Sequence, residues 1–219
     1  MTTGKDSVNR RLIIFTRFPL AGVTKTRLIP VLGAAGAARL QRQMTEHVLR
    51  RVRQVQSLPA LRIEIRFAGG DTDRMQAWLG AGCDYRPQGS GNLGDRMASA
   101  FTSAFNEGVD QSVLIGSDIP GITGTTIEHA YAGLDQADVV CGPSRDGGYY
   151  LIGMHRQAFA AGRILFQELS WGTATVLDKT LQMAAAAGLQ TCLLEELTDV
   201  DFPEDLPIWE KEKLALKNS

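Results

Sequence analysis

The segment Val113-Leu114-Ile115-Gly116-Ser117-Asp118-Ile119-Pro120-Gly121 sets a single carboxylate where a buried strand gives out. Three branched apolar residues read as a short, fully buried strand, and Pro120 keeps it from continuing in a central ladder. Gly116, without a side chain, leaves room for a ligand to approach. In open α/β sheets ligands bind outside the carboxyl ends of the strands. Asp118 is therefore a candidate ligand for a magnesium or manganese ion, with substrate phosphates supplying further oxygens. The competing reading is a cap on the turn before the next helix. Phosphates need cations, and the loop Thr16–Leu28 carries three: Arg17, Lys25 and Arg27. Arg offers a fork of donors and Lys a point charge, a pair suited to clamping a diphosphate. The loop is no Walker motif, because Thr24 and Pro19 stand where that motif requires glycines.

Two further loops carry chemistry-bearing residues. In Pro87–Met97, Gly89, Gly91 and Gly94 free the backbone N–H groups to face an anion or a base, next to a helix start near Leu93; a flexible surface loop is the alternative. In Ser144–Gly153, Asp146-Gly147-Gly148-Tyr149 either forms a hairpin turn between antiparallel strands or holds Asp146 near a reacting centre, with glycines making room for substrate. Trp171, just before a helix, is placed to stack on a sugar or close a pocket. Asp201 is suited to cap the terminal helix, with Pro203 in its first turn.

The elements that must position these loops follow from periodicity. Leu12–Phe15, Val113–Ile115 and Val139–Cys141, the last within a strand at residues 138–143, are expected to be neighbouring buried strands of one sheet. Leu61–Phe67 alternates strictly and predicts a second strand, less buried than the first. Leu40, Met44, Val48, Val52 and Val55 mark an amphipathic helix over residues 33–56, in which His47 is a surface or packing residue. Asp71 or Thr72 caps a helix through Met75 and Leu79. Further helices are expected from Leu93, with Met97, Phe101 and Phe105 inward, over residues 125–134 and over 173–187. A last parallel strand is expected at residues 189–194. No repeat or linker breaks the chain, which predicts one domain over residues 11–219 after a flexible tail at residues 1–10.

Apolar residues make up 44% and charged residues 21% of the 219 residues, ordinary values for a globular protein. No apolar run reaches 18 residues, so no membrane span is expected. The polar N-terminus lacks a signal-peptide core. Cys83, Cys141 and Cys192 are far apart and read as free thiols of a reducing cytoplasm. The overall charge of −1 hides a polarity: residues 1–66 carry 13 Lys or Arg and 3 Asp or Glu, and the remainder 10 and 21. Much of the basic excess lies on the 33–56 helix as a solvated face. Aromatic residues are not interleaved with it, so nucleic acid is not an expected partner.

Taken together, Gly22-Val23-Thr24-Lys25-Thr26-Arg27-Leu28, Gly91-Asn92-Leu93-Gly94-Asp95-Arg96-Met97, Gly116-Ser117-Asp118-Ile119-Pro120, Asp146-Gly147-Gly148-Tyr149 and Asp199-Val200-Asp201 resemble one family. It is the bacterial family of candidate glycosyltransferases in the nucleotide-diphospho-sugar transferase superfamily, some members of which are named for arsenosugar biosynthesis. The likeness runs in order from about residue 11 to 207. It implies a GT-A type, Rossmann-like α/β fold: a mixed, mostly parallel sheet with helices on both faces. It implies a nucleotide-sugar donor, a small-molecule acceptor and a divalent cation, magnesium or manganese, bound with the donor. Arg17, Lys25, Arg27, Gly91, Gly94 and Ser117 would bind nucleotide or phosphate, and Asp118 and Asp201 the metal. Asp146 would be the catalytic base, and Gly147, Gly148, Tyr149 and Trp171 would line the acceptor pocket. The superfamily's DxD signature stands here as Ser117-Asp118 without its first acid, and Phe202 replaces the Thr of a closing Asp-x-Asp-Thr-Pro. The reading is glycosyl transfer to a small acceptor. The alternatives are a nucleotidyltransferase joining a nucleoside triphosphate to a phosphorylated small molecule, and a non-catalytic nucleotide-binding module.

Overall fold

The computed structural model describes residues 8–217 except 56, 59 and 168. A seven-stranded sheet runs β3 (Asp84–Pro87), β2 (Arg62–Ala68), β1 (Arg10–Arg17), β4 (Gln111–Gly116), β6 (Tyr149–His155), β5 (Val139–Pro143) and β7 (Thr191–Leu193). All neighbours pair in parallel except β6, which is antiparallel to both β4 and β5. The three expected buried strands share this sheet, but only β1 and β4 touch. The Asp-Gly-Gly segment folds β6 back between β4 and β5. Gly153 lets it fit there, since a Cβ would lie 2.8 Å from Val140 and 2.9 Å from Val113. The turn closes with Ser144 N donating to Gly148 O at 3.0 Å. The segment thus forms the hairpin turn, with Asp146 carried in it.

Helices cover both faces. On one side α1 (Ile29–Val52), α2 (Thr72–Leu79) and α4 (Gly124–Leu134) bury Val48, Met75 and Tyr131 against Leu12 and Ile14. On the other, α3 (Leu93–Asn106) and α6 (Val176–Ala186) pack Phe101, Phe105 and Ala184 against Ile13 and Phe15. This matches the expected α/β architecture. α1 begins at Ile29, earlier than periodicity suggested, because Pro30 suits a first turn; the helix breaks at Gly33, where φ is 67°. It ends at Val52, short of the expected Gln56, which itself lies outside the described residues. Asp71 caps α2, accepting from Arg74 N at 2.9 Å. The edge strand β3 and the short α5 (Arg156–Gly162) were not foreseen. The expected tail is shorter than residue 10, since β1 starts there and Asn9 N donates to the Asp110 carboxylate; residues 1–7 lie outside the described ones.

The polar members of β2 depart from a solvated face. Glu64 is 0% exposed and Arg66 5%, and Arg11 of β1 joins them at 4%. Glu64 bonds Arg11 at 3.0 Å and Arg66 at 2.5 Å, and Glu107, just past the end of α3, bonds Arg11 at 2.7 Å and also Arg86. The charges are buried because they satisfy one another beneath α3. A third apolar cluster sets Leu28, Leu40 and Met44 against Val200 and Trp209 of the closing segment, which includes α7 (Leu206–Lys217). His47 is a packing residue: Nε2 donates to the Pro120 carbonyl at 2.8 Å and its ring meets Trp209 edge-on. Among the described residues no helix is long and apolar enough to cross a membrane.

Candidate active site

The carboxyl ends of β1, β2 and β4 open into a cavity of about 720 Å³ lined by Arg17, Lys25, Arg27, Gln88, Arg96, Ser117, Asp118 and Asp201, among others. Lys25 is its centre. Nζ donates to Asp118 Oδ2 at 2.9 Å, Asp201 Oδ1 at 2.5 Å and the Val200 carbonyl at 2.8 Å. Arg27 donates to Asp201 Oδ2 at 3.0 Å and lies over the Phe202 ring. Burial pulls the Lys25 ammonium down, but the Asp118 and Asp201 charges outweigh it and hold it above its ordinary value. Burial likewise pushes the Asp118 carboxyl up, and Lys25 overcomes this to hold it low. Lys25 is the single non-glycine residue at positive φ among the described residues, at 48°. Such a conformation is uncommon outside glycine and is retained where surroundings over-determine it.

The floor is a buried polar lattice. Ser117 Oγ donates to Thr16 Oγ1 at 2.9 Å, Gln41 Nε2 donates to Ser117 Oγ at 3.2 Å, and the Thr16 and Thr45 hydroxyls are 2.9 Å apart. Ser117 thus faces the cavity with its hydroxyl proton already committed. Gln88 is also fixed, its amide donating to Thr16 O at 3.0 Å and Arg66 O at 3.2 Å.

A second cavity, about 230 Å³, shares Phe15, Leu93, Gly116 and Asp118 with the first. Its walls include Asp146, Gly148, Tyr149, Trp171 and Asp199, with Tyr149 edge-on to Trp171 at 6.3 Å between centroids. Asp146 Oδ1 accepts from Gly148 N at 2.9 Å, which ties the carboxylate to its own turn. Asp199 accepts from Ser144 Oγ at 3.1 Å. Burial first, then the Asp118 and Asp146 charges, raise the Asp199 carboxyl to about 6.

Not every candidate from the sequence comes to the site. Gly94 is buried and lines neither cavity; a Cβ there would lie 2.0 Å from Phe166 O and 2.8 Å from the Trp171 ring. It is a close-packing glycine of α3, capped instead by Asn92 and Asp95. Gly91, at φ 91°, gives its carbonyl to Arg96 Nε at 2.9 Å and lines neither cavity. Gly147, at φ 85°, packs under Ala174, where a Cβ would meet the carbonyl at 2.2 Å, and is likewise off the cavity wall. Asp201 is not a helix cap: Asp205 accepts from the Asp201 and Phe202 N–H groups at 3.0 and 2.8 Å, freeing Asp201 for Lys25 and Arg27. Gln88 and Arg96 flank the candidate glycines and line the cavity, although neither was a candidate from the sequence. Asp199 and Asp201, two residues apart, face different cavities.

The oxygens around Lys25 Nζ are a hard donor set of the kind magnesium and manganese take, so Asp118 and Asp201 fit a divalent ion. Among the described residues no group of three or more His, Cys, Asp or Glu forms a self-sufficient cage.

The family of uncharacterized proteins conserved in bacteria, DUF2064, matches residues 49–173. The crystal structure of a candidate nucleotide-diphospho-sugar transferase from Desulfovibrio desulfuricans G20 is 32% identical, with a TM-score of 0.82, covering 89% of this chain and 83% of that one. A nucleotidyl transferase from Methanothermobacter shares the fold at a TM-score of 0.68 and 14% identity, over 94% and 98% of the two chains. The phosphoenolpyruvate guanylyltransferase of Chloroflexus aggregans is 24% identical over 121 residues, 55% of this chain. That match spans 60% of the guanylyltransferase's length. The chain belongs to the DUF2064 family, and its fold is that of the nucleotide-diphospho-sugar and nucleotidyl transferases.

Proposed function

We propose that this protein is a transferase that moves a sugar from a nucleotide diphosphate sugar to a hydroxyl of a small uncharged acceptor. One observation carries the choice of group. The smaller cavity has Asp118, Asp146 and Asp199 in its walls and, among the described residues, no Lys, Arg or His. Asp118 is paired with Lys25, but a phosphorylated acceptor would still bring anionic oxygens against Asp146 and Asp199 on a wall that offers no cationic side chain, a like-charge arrangement that is costly. A neutral polyol meets no such repulsion, and Trp171 and Tyr149 offer it an apolar wall.

The donor belongs in the larger cavity, its diphosphate toward Lys25 and Arg27 and its nucleoside toward Gln88 and Arg96. Asp118 and Asp201 are the residues to hold a divalent ion. When bound, the ion would stabilise negative charge on the leaving diphosphate. Asp146 is the proposed base: one oxygen accepts from the Gly148 N–H, and the other, without a hydrogen-bond partner among the described residues, would take the acceptor proton. Leu93 and Phe15 are common to both cavities and lie at their junction.

Nucleotidyl transfer is the second reading, favoured by the likeness to a guanylyltransferase. Two assays separate them. Incubation with nucleotide sugars and a polyol panel should release nucleoside diphosphate and glycoside. Pyrophosphate release from nucleoside triphosphates with phosphorylated acceptors, and no turnover of any nucleotide sugar, would overturn the glycosyl reading.

A further inference from the structure

The position between Asp118 and Asp201 is already filled by a cation of the chain itself. Lys25 Nζ has carboxylate oxygens at 2.9 and 2.5 Å and a carbonyl oxygen at 2.8 Å, and its side chain is 6% exposed. An ammonium and a divalent ion cannot share those oxygens, because two such charges a few ångströms apart with little water between them repel strongly.

Charge counting shows what each ligand meets. Lys25 and Arg27 balance Asp118 and Asp201 in the ion pairs of the site. A divalent ion arriving alone confronts the ammonium. A diphosphate arriving alone is met by Arg17, Arg27 and Arg96 of the cavity wall, while Lys25 stays committed to the two carboxylates. With Lys25 turned to the phosphates, Asp118 and Asp201 lose that cation and can take the divalent ion in its place. The exchange asks only the lysine side chain to turn, on a loop that is anchored beside it. Thr24 Oγ1 pins the loop, donating to Leu20 O at 2.7 Å and accepting from Leu20 N at 2.9 Å. The lysine stem beyond it is long and flexible.

We propose that Lys25 is an internal stand-in cation: it occupies the position between Asp118 and Asp201 in the nucleotide-free protein and leaves it for the phosphates of the nucleotide. A divalent ion is then admitted only together with the nucleotide. This rests on the nucleotide-and-metal reading above, and adds the order of binding and the residue that enforces it.

The test is manganese binding by the full chain, followed by the electron paramagnetic resonance of free manganese and by calorimetry. Each titration is run alone and with UDP or GDP. Wild type without nucleotide should bind manganese weakly and gain a tight site when nucleotide is added. Lys25→Met and Lys25→Gln should bind manganese without nucleotide at least about tenfold more tightly than wild type, the effect of removing a competitor that fills the site nine parts in ten. The gain should vanish in Lys25→Met with Asp118→Asn. Equal manganese affinity in wild type and both single variants, or a gain that survives Asp118→Asn, overturns the proposal. Circular dichroism checks that each variant is folded, and two substitutions guard against one that is not. If neither nucleotide binds wild type with manganese yet the single variants gain the metal, the stand-in role holds and the nucleotide reading fails. The two failures are therefore distinguishable.

Discussion

Glu64→Gln tests whether the buried charges beneath α3 are a structural requirement. The substitution keeps the volume and one acceptor oxygen but removes the charge that two buried arginines share. Glu64 is 0% exposed, with Arg11 at 3.0 Å, Arg66 at 2.5 Å and Arg86 at 3.8 Å. Two charge-assisted hydrogen bonds of about 1.5–3 kcal/mol each are weakened. Because water cannot reach Arg11 or Arg66 to compensate, the loss should approach the roughly 3–5 kcal/mol seen when one partner of a buried pair is removed. Among the described residues Arg11 Nε and Arg66 Nη2 already lack hydrogen-bond partners, so the network has no spare acceptor. Set against total stabilities of about 5–15 kcal/mol, this is a large fraction. Urea unfolding of wild type and variant should show a lower midpoint at unchanged slope. Melting temperature should fall by about 6–20 °C for a chain of this size. In a cycle with Arg66→Met, the second substitution should cost less in the Glu64→Gln background than alone. A loss under about 1 kcal/mol, or strict additivity, would refute the claim that Glu64 holds the network.

Arg27→Ala should weaken nucleotide diphosphate binding by about 1.5–3 kcal/mol in calorimetry with little change in the urea midpoint, since Arg27 is largely exposed and touches no core. Asp146→Asn keeps the acceptor for Gly148 N, so the hairpin and donor affinity should survive while kcat falls by about 10² or more; unchanged turnover would leave Asp146 a turn residue. Gly94→Ala should cost about 1–3 kcal/mol through the clash with Phe166 O while donor affinity, measured on folded protein, stays the same. Glu107 titrates at about 2, held down chiefly by the Arg86 hydrogen bond, against an ordinary 4.5. A lowered folded value means stability present above 4.5 and lost as pH falls toward 2. Glu107 is about a third exposed, so screening limits the effect to about 1 kcal/mol. Glu107→Gln should flatten that acid limb in pH-dependent urea unfolding.

Buried runs and loop chemistry made much of this fold legible. Val113–Ile115 and Leu12–Phe15 could only be interior strands, and the residues after each do line one cavity. What stayed hidden was long-range. Strict alternation in β2 implies one wet face, and nothing local says that Arg11, 53 positions from Glu64, will neutralise it. β3 was missed because Asp84, Arg86 and Pro87 are poor strand residues, and only pairing to β2 makes them one. Among the glycines, a local sequence cannot separate those needed for backbone exposure from those needed for contact. Gly94 is set by Phe166 and Trp171, more than 70 residues on. The fixed Gln88 amide was invisible for the same reason, since its two acceptors lie on β1 and β2.

The reversed strand explains why two cavities meet at one carboxylate. β1, β2 and β4 run parallel and end at the same edge, which gathers Arg17, Ala68 and Asp118 around the larger cavity. Had β6 also been parallel, it would begin at the far edge, and its preceding turn would open away from Asp118. Being antiparallel, it begins where β4 ends, so the turn that carries Asp146 opens on the site side. The closing segment then crosses the gap. Ser144 bridges in parallel to Leu197, and Val200 N donates to Asp118 O at 3.0 Å. That last bond fixes the register of Asp199-Val200-Asp201 against Asp118. Asp199 is delivered to Ser144 in the smaller cavity, Val200 to the core beside Trp209, and Asp201 to Lys25 in the larger one. On the proposed reading, donor and acceptor meet at Asp118, which lines both cavities. The transferred group then has only the shared wall of Phe15, Leu93 and Gly116 to pass, where Gly116 presents no side chain to obstruct it.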